Sequence, residues 1–413
     1  MKKKWVIIIA LITLSLTIPT VWLSISFLTP KKTIKIGILH SLTGSLAASE
    51  LPMVDAAMLA ITEINAAGGV MGRKIEPIIA DGKTDETVFA TEAERLITQE
   101  NVVAIFGCWT IPSRKAVRDV VEKYKNLLFY PLQFEGLEDS PNVIYTSTTP
   151  NQQAIPGTIW CIQNLGKRFF LVGSDPFTDE IIKDTLHAYG GEVVGQEYIS
   201  LTDTNLDPII KKIVTAKPDV IINNIEGNTN LKFFTALRKA GISPEKIPTM
   251  SFSISESELQ LFNTNSMTGD YATWSYFQSI DRPENRLFIK KIKAHYGEKH
   301  VVDDPMEAAY YSIYFWKQAV EKAGSTNTDN VRQGLKNQAF NAPQGVIHMN
   351  GEGHYVWQCV KVGKIRSDKQ FTIVWDSKKT VKTVPYPPTR SREEWEKLLA
   401  YWYEKWGKKW SDS

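Results

Sequence analysis

The stretch from Thr33 to Asp81 constrains this chain most. Ile34-Lys35-Ile36-Gly37-Ile38-Leu39 is a short, β-branched apolar run with the length of a buried strand. A loop of small and hydroxyl residues follows, Ser41-Leu42-Thr43-Gly44-Ser45. Val54, Ala57, Met58, Ile61 and Ile64 then recur at helical spacing, which predicts an amphipathic helix from about Pro52 to Ala66. Gly68-Gly69 stops it, because glycine takes the left-handed backbone that helix ends favour. A second apolar run, Lys74 to Ala80, closes on Asp81. Strand, helix and strand make a βαβ unit. That unit implies a parallel sheet whose ligands sit beyond the carboxyl ends of its strands.

The same rhythm continues. Val102 to Gly107, Leu127 to Tyr130 and Val143 to Thr146 read as strands, with helices over Glu86 to Glu100 and Arg114 to Lys125 between them. A second series starts with the strand Arg168 to Gly173 and runs through Glu192 to Ile199, Asp219 to Asn224 and Thr249 to Phe252. Its helices are Asp179 to Tyr189, Leu206 to Ala216 and Asn228 to Ala240. Gly190-Gly191 and Lys217-Pro218 break the elements apart. Two such series in 413 residues imply two α/β domains rather than one core. Late strands are expected at Val346 to Met349, Gly353 to Val362 and Gln370 to Trp375.

Charge and cysteine content narrow the function. A formal net charge of +3 gives no reason to expect nucleic acid. The three cysteines, Cys108, Cys161 and Cys359, show no C-x-x-C spacing, cannot all pair, and read as buried thiols, with one disulfide left open.

The two ends of the chain stand apart. Lys2, Lys3 and Lys4 precede an uncharged run from Trp5 to Leu28, long enough to cross a bilayer and flanked again by Lys31-Lys32. Residues 1–32 therefore read as an export signal or a retained membrane anchor, with the rest outside the cytoplasm. At the other end, Pro385, Pro387 and Pro388 precede a capping-box pattern, Ser391 with Glu394. Trp395, Leu398, Leu399, Trp402, Trp406 and Trp410 then share one helical face. That stripe suits a helix docked on its own protein or on a partner, and equally one lying at a membrane surface.

The loops beyond the strand ends carry the candidate site: Ser41 to Ser45, Cys108 to Ser113, Pro131 to Glu135, Ser174 to Thr178, Ile225 to Gly227 and Ser253 to Ser257. They offer hydroxyls, backbone amides and aromatics (Trp109, Phe134, Phe177), with few acids (Glu135, Asp175, Glu226, Glu256). Such a lining suits a small polar solute. Catalytic signatures are missing: there is no G-x-S-x-G, no H-E-x-x-H and no P-loop spacing. His348, Glu352 and His354 flank a hairpin turn, and neither metal nor cofactor is expected.

One block, Glu63-Ile64-Asn65-Ala66-Ala67-Gly68-Gly69-Val70-Met71-Gly72-Arg73-Lys74, resembles the signature after the first helix of type I periplasmic solute-binding proteins of the leucine-binding kind. Further blocks resemble the urea and short-chain-amide branch of that family: Phe106 to Thr110 with Ser113-Arg114-Lys115, Leu128 to Pro131 with Gln133 to Gly136, Pro150 to Pro156, Tyr276 to Asp281, and Asp304 to Ala308. The resemblance runs from about Ile34 to Trp375. It implies two Rossmann-like α/β lobes with parallel sheets joined by three crossover strands, a ligand held between them, and delivery to an ABC permease. The expected layout is 33–150 with 280–344 as the first lobe and 151–279 with 345–382 as the second. Residues 383–413 would be a Pro-rich linker and the Trp-rich helix.

By motif, Trp109 and Thr110 would wall the ligand, with Tyr130, Leu132 and Gln133 beside them; Ile111 and, from the strand-end loops of the second lobe, Asp175, Phe177, Thr178, Glu226 and Ser253 complete the candidate site. Ile111 stands where the family usually has a ligand-binding serine, and Pro176 and Thr178 stand where it has tyrosines. The expected function is an extracytoplasmic, non-enzymatic binding protein for urea, amides or related solutes. A receptor of the same fold reporting to a membrane sensor, and an amide-hydrolysing enzyme, are the rivals.

Overall fold

In the computed structural model, the structure describes residues 32–199, 205–262 and 266–411. All of the expected N-terminal export segment except Lys32 lies outside the described residues. In chain order the first elements are β1 (Ile34–His40), α1 (Ala47–Ala66), β2 (Ile75–Asp81), α2 (Glu86–Thr98), β3 (Ile105–Gly107), α3 (Ile111–Lys123), β4 (Leu128–Tyr130) and β5 (Val143–Tyr145). They build a five-stranded parallel sheet in the order β2-β1-β3-β4-β5. Helix α1 begins earlier than its apolar stripe suggested and runs through Pro52. Its first turn is anchored by Glu50, whose carboxylate accepts from Ser41 N at 3.0 Å and lies 2.9 Å from the His40 ring.

The second series comprises α4 (Ala154–Asn164), β6 (Arg168–Gly173), α5 (Pro176–Tyr189), β7 (Glu192–Tyr198), α6 (Asp207–Ala216), β8 (Val220–Asn224), α7 (Thr229–Lys239), β9 (Thr249–Ser251), α8 (Glu256–Leu261) and β10 (Tyr271–Trp274). These strands form the parallel part of a seven-stranded sheet, β7-β6-β8-β9-β10. Two later strands, β14 (Lys361–Ile365) and β15 (Phe371–Asp376), complete it in antiparallel pairing. The α/β class with two parallel-sheet lobes is therefore as the sequence predicts.

Between β10 and β14 the chain returns to the first body. Helices α9 (Pro283–Tyr296), α10 (Asp304–Ala323) and α11 (Thr328–Leu335) pack there, with α10 lying along α1. A small antiparallel sheet joins β11 (Ala339–Ala342), β12 (Gly345–Met349) and β13 (Val356–Trp357). Strands β12 and β13 were expected in the second lobe. They stay with the first, where Tyr355 bridges to Tyr145 at the sheet edge. The expected strand from Gly353 to Val362 is split for the same reason, since the crossing to the second sheet occurs at 358–360.

The chain thus passes between the sheets at 146–153, 275–282 and 358–360. Helix α10 braces all three passages. Asp304 accepts from Ser147 Oγ at 3.3 Å and from Ser275 N and Tyr276 N at 3.0 and 2.8 Å. Tyr311 donates to Thr146 O and lies 3.3 Å from Gln358 Oε1. Burial, with Asp303 beside it, pushes Asp304 up to about 7 against the hydrogen bonds it accepts.

The tail does not leave the body as a free linker. Gln358 and Val381 form a bridge, Asn151 holds Lys382 O and Val384 N, and Leu137 N donates to Pro385 O at 2.8 Å. Gly136 makes that approach possible: its φ is +73°, and a Cβ there would lie 2.3 Å from Pro385 O. Helix α12 (Arg392–Lys405) opens on the expected capping box, Ser391 with Glu394. Trp395 and Leu399 bury against Leu137 of the first body and Phe177 and Ile181 of the second. The Trp stripe covers protein, and no helix among the described residues is long and apolar enough to cross a membrane. All three cysteines are free thiols, Cys108 and Cys161 buried.

Candidate functional site

Five loops leave the carboxyl ends of their strands and face one another between the two sheets. The loop after β3 turns sharply because Gly107, at φ +151°, passes so close to β1 that a Cβ would lie 1.8 Å from Leu39 O. Cys108 follows at φ +68°, and Trp109 is delivered to the interlobe side. Thr110 then caps α3, accepting from Ser113 N at 3.2 Å, with Pro112 in the first turn. In the second body Asp175 caps α5 in the same way, accepting from Phe177 N at 2.9 Å and Thr178 N at 3.0 Å. Both helices therefore start earlier than their apolar stripes indicated, at Ile111 and Pro176.

The loops enclose a cavity of about 40 Å³. Trp109, Ile111, Tyr130, Leu132, Gln133, Asp175, Thr178 and Glu226 line it, so the fold brings together eight of the expected site residues. Ser253 lines an adjoining space of about 10 Å³ that shares Trp109, Gln133 and Glu226 with the first. Thr110 and Phe177 line neither. Thr110 is spent as the cap of α3. Phe177 lies in the first turn of α5 on the side facing the tail, 5.8 Å edge-on to the Trp406 ring. Ile111 has the cavity on one side and the tail cluster on the other.

Sequence reasoning gave no role to the charge at the centre of this wall. Arg114 is fully buried, donating from Nε to Glu138 at 3.0 Å and from Nη2 to Glu135 at 2.5 Å. Its guanidinium lies 5.1 Å from the centroids of both Tyr130 and Phe134. Glu138 also receives Lys115, Arg118 and the Tyr145 hydroxyl. Burial alone would raise the Glu138 carboxyl, but Arg114, Lys115 and Arg118 outweigh it and hold the group well below the carboxylate range. The sequence clue was the pairing of Arg114-Lys115 at a helix start with Glu135 and Glu138 in the next loop.

The other acids behave oppositely. Burial, reinforced by the Asp175, Glu135 and Glu50 carboxylates, pushes Glu226 up to about 8, with Arg114 opposing. Burial also raises Asp175, against the backbone N–H groups it accepts from; its second oxygen takes Asn224 Nδ2 at 2.8 Å. Tyr130 donates to Trp109 O at 2.5 Å, fixing the aromatic wall. Three buried polar atoms of the lining lack a hydrogen-bond partner: Gln133 Oε1, Glu135 Oε2 and Arg114 Nη1. Such atoms cost free energy until something meets them. A ligand can.

Residues 34–392 match the family described as periplasmic binding protein domain. The chain belongs to that family. Among curated relatives, this periplasmic binding protein is 23% identical to the Leu/Ile/Val-binding protein homolog 6 of Brucella melitensis over 283 residues, covering 66% of this chain and 72% of that one. A shorter match, 34% identical over 117 residues, is to a Geobacillus stearothermophilus protein named limonene hydroxylase. It covers 28% of this chain and 21% of that protein, so about a fifth of that relative's length is spanned. Solved structures share the fold. A solute-binding protein of an ABC transporter from R. palustris, in complex with 4-hydroxybenzoate, superposes with a TM-score of 0.77 at 22% identity, covering 83% of this chain and 96% of that one. A branched-chain amino acid transporter substrate-binding protein from Streptococcus pneumoniae, with isoleucine, gives 0.74 at 22%, covering 85% and 100%. The resemblance to type I binding proteins of the leucine-binding kind therefore holds.

Proposed function

We propose that this periplasmic binding protein is the extracytoplasmic solute receptor of an ABC transporter, closing two lobes over a small polar solute of urea or short-chain-amide size. The size of the cavity carries the reading. At about 40 Å³ it offers room on the order of a few water molecules. That suits a few heavy atoms better than the isoleucine or 4-hydroxybenzoate named with the two structural relatives. Trp109, Tyr130, Leu132 and Gln133 from one lobe and Asp175, Thr178, Glu226 and Ser253 from the other surround the solute, and Ile111 replaces a hydroxyl with an apolar wall. The lobes are taken as 33–150 with 280–357 and 151–279 with 358–382, β12 and β13 staying with the first. Residues 1–32 export or tether the protein, and the closed form is what permease subunits recognise. No reaction is performed.

Calorimetric titration with urea, formamide, acetamide, leucine and 4-hydroxybenzoate tests this. Binding confined to the smallest solutes is the expected result. Tight binding of leucine or hydroxybenzoate, or ammonia released from an amide, overturns it. A second reading, a receptor that reports occupancy to a membrane sensor, is favoured by the tail that contacts both lobes. Co-purification with permease or with sensor subunits separates the two.

A further inference from the structure

We propose that Glu226 makes this cavity a site for a small planar cation of guanidinium or amidinium chemistry, rather than for a neutral amide of the same shape. The inference rests on the small-solute reading above and adds the charge of the solute.

The argument is an account of the charges around one cavity. Arg114 is the cation of the lining, and it is committed to Glu135 and Glu138. Both Asp175 oxygens are occupied, one by backbone N–H groups of α5 and the other by Asn224. Glu226 lines both interlobe spaces and enters no ion pair among the described residues. Charged groups face it from several elements: Asp175 at the start of α5, Glu135 after β4, Glu50 in α1, Glu258 in α8 and Arg114 in α3. Four of these five are acids. An extra half-buried carboxylate in such company is disfavoured until a cation joins it.

Hydrogen-bonding capacity points the same way. Gln133 Oε1 and Glu135 Oε2 are acceptors without a partner, Arg114 Nη1 is a donor, and Ser253 Oγ can serve as either. Guanidinium offers only donors, whereas urea spends one edge on a carbonyl acceptor. Trp109 borders both spaces beside Glu226, and an aromatic face next to a carboxylate is a pairing that holds planar cations. A cation here would draw the raised Glu226 carboxyl into its ionised form and release a proton.

Calorimetry on the full-length protein with guanidinium chloride, acetamidinium chloride, urea and acetamide, at concentrations far below denaturing, decides the matter. Wild type is expected to bind a cation at least about tenfold tighter than its neutral counterpart. Glu226→Gln is expected to lose about tenfold or more on the cation and distinctly less on urea, so that the preference for the cation narrows. Cation affinity is also expected to rise with pH up to about 8, as Glu226 ionises together with Glu258, which burial raises to about 7, while urea affinity stays level. That pH profile needs only the wild-type protein and carries the test if Glu226→Gln does not fold. Neutral amides binding as tightly as the cations, or a pH-independent preference, overturns the cation inference and leaves the small-solute reading standing. Binding of none of the four overturns both.

Discussion

The Lys115 ammonium lies 4.1 Å from the centroid of the Trp410 ring, joining helix α3 of the first lobe to the last turn of the chain. At the other end of the same tail, Arg390 holds Glu180 and Asp184 of α5 in the second lobe, each at 2.8 Å. Between these fastenings Trp406 and Trp402 lie edge-on to Phe177 and Tyr198, at 5.8 and 6.0 Å. The final segment therefore contacts both halves of the molecule.

Trp395→Ala should release it. Trp395 is fully buried, donates to Pro387 O at 2.8 Å and lies under the Arg390 guanidinium at 4.7 Å. Emptying a site of this kind costs about 3–5 kcal/mol. Hydrogen exchange over 391–411 is expected to accelerate to near free-peptide rates while the sheets keep their protection. Unchanged exchange would mean that Trp395 does not hold the segment down.

Trp109→Ala should weaken whichever small solute the calorimetry identifies by roughly 1 kcal/mol or more, because it removes an enclosing aromatic face. Melting should barely change, since Trp109 is only partly buried. Full affinity in this variant would remove Trp109 from the site.

Glu138→Gln should destabilise at neutral pH. The wild-type carboxyl is held low by Arg114, Lys115 and Arg118, so its contribution is present above the unfolded value near 4.5 and fades as pH falls. Removing one member of a buried ionic set costs about 3–5 kcal/mol at most when the partner charges stay buried. Thermal melts should differ most near pH 7 and converge in acid. A difference that persists undiminished at low pH would show that lost packing, not charge, explains it.

Asp179→Asn should have the opposite sign. Burial, with Asp175 beside it, pushes Asp179 up to about 8, and its Oδ1 has no partner. A raised acid favours the folded state when protonated, so that advantage is complete below about pH 4 and lost as pH rises through about 8. The amide keeps the bond from Gln196, 2.9 Å in the wild type. The variant should gain about 1 kcal/mol or more over wild type above pH 8, and little near pH 4. Equal melting curves at both ends would place the Asp179 carboxyl in water.

Much of this was legible in the residues themselves. The β1-α1-β2 unit, both parallel sheets and the strand-end position of the site follow from apolar periodicity and glycine breaks, which are local signals. Phe177 was misplaced because Pro176 and the Asp175 cap start α5 early, and the turn of that helix decides which way the ring faces. Arg114 gave no local signal, since a buried arginine in a helix looks like an exposed one until Glu135 and Glu138 are folded against it. The Trp-rich stripe was ambiguous for a physical reason: protein and membrane surfaces both cover the same apolar face. Strands β12 and β13 were assigned to the wrong lobe because nothing in their alternation marks where a chain crosses between sheets.

Ile111 carries a mechanical implication. One side chain separates the cavity from the Trp-stacked tail. Loosening of the terminal helix is therefore felt at the cavity wall through Ile111, which ties the local stability of the tail to the shape of the interlobe space.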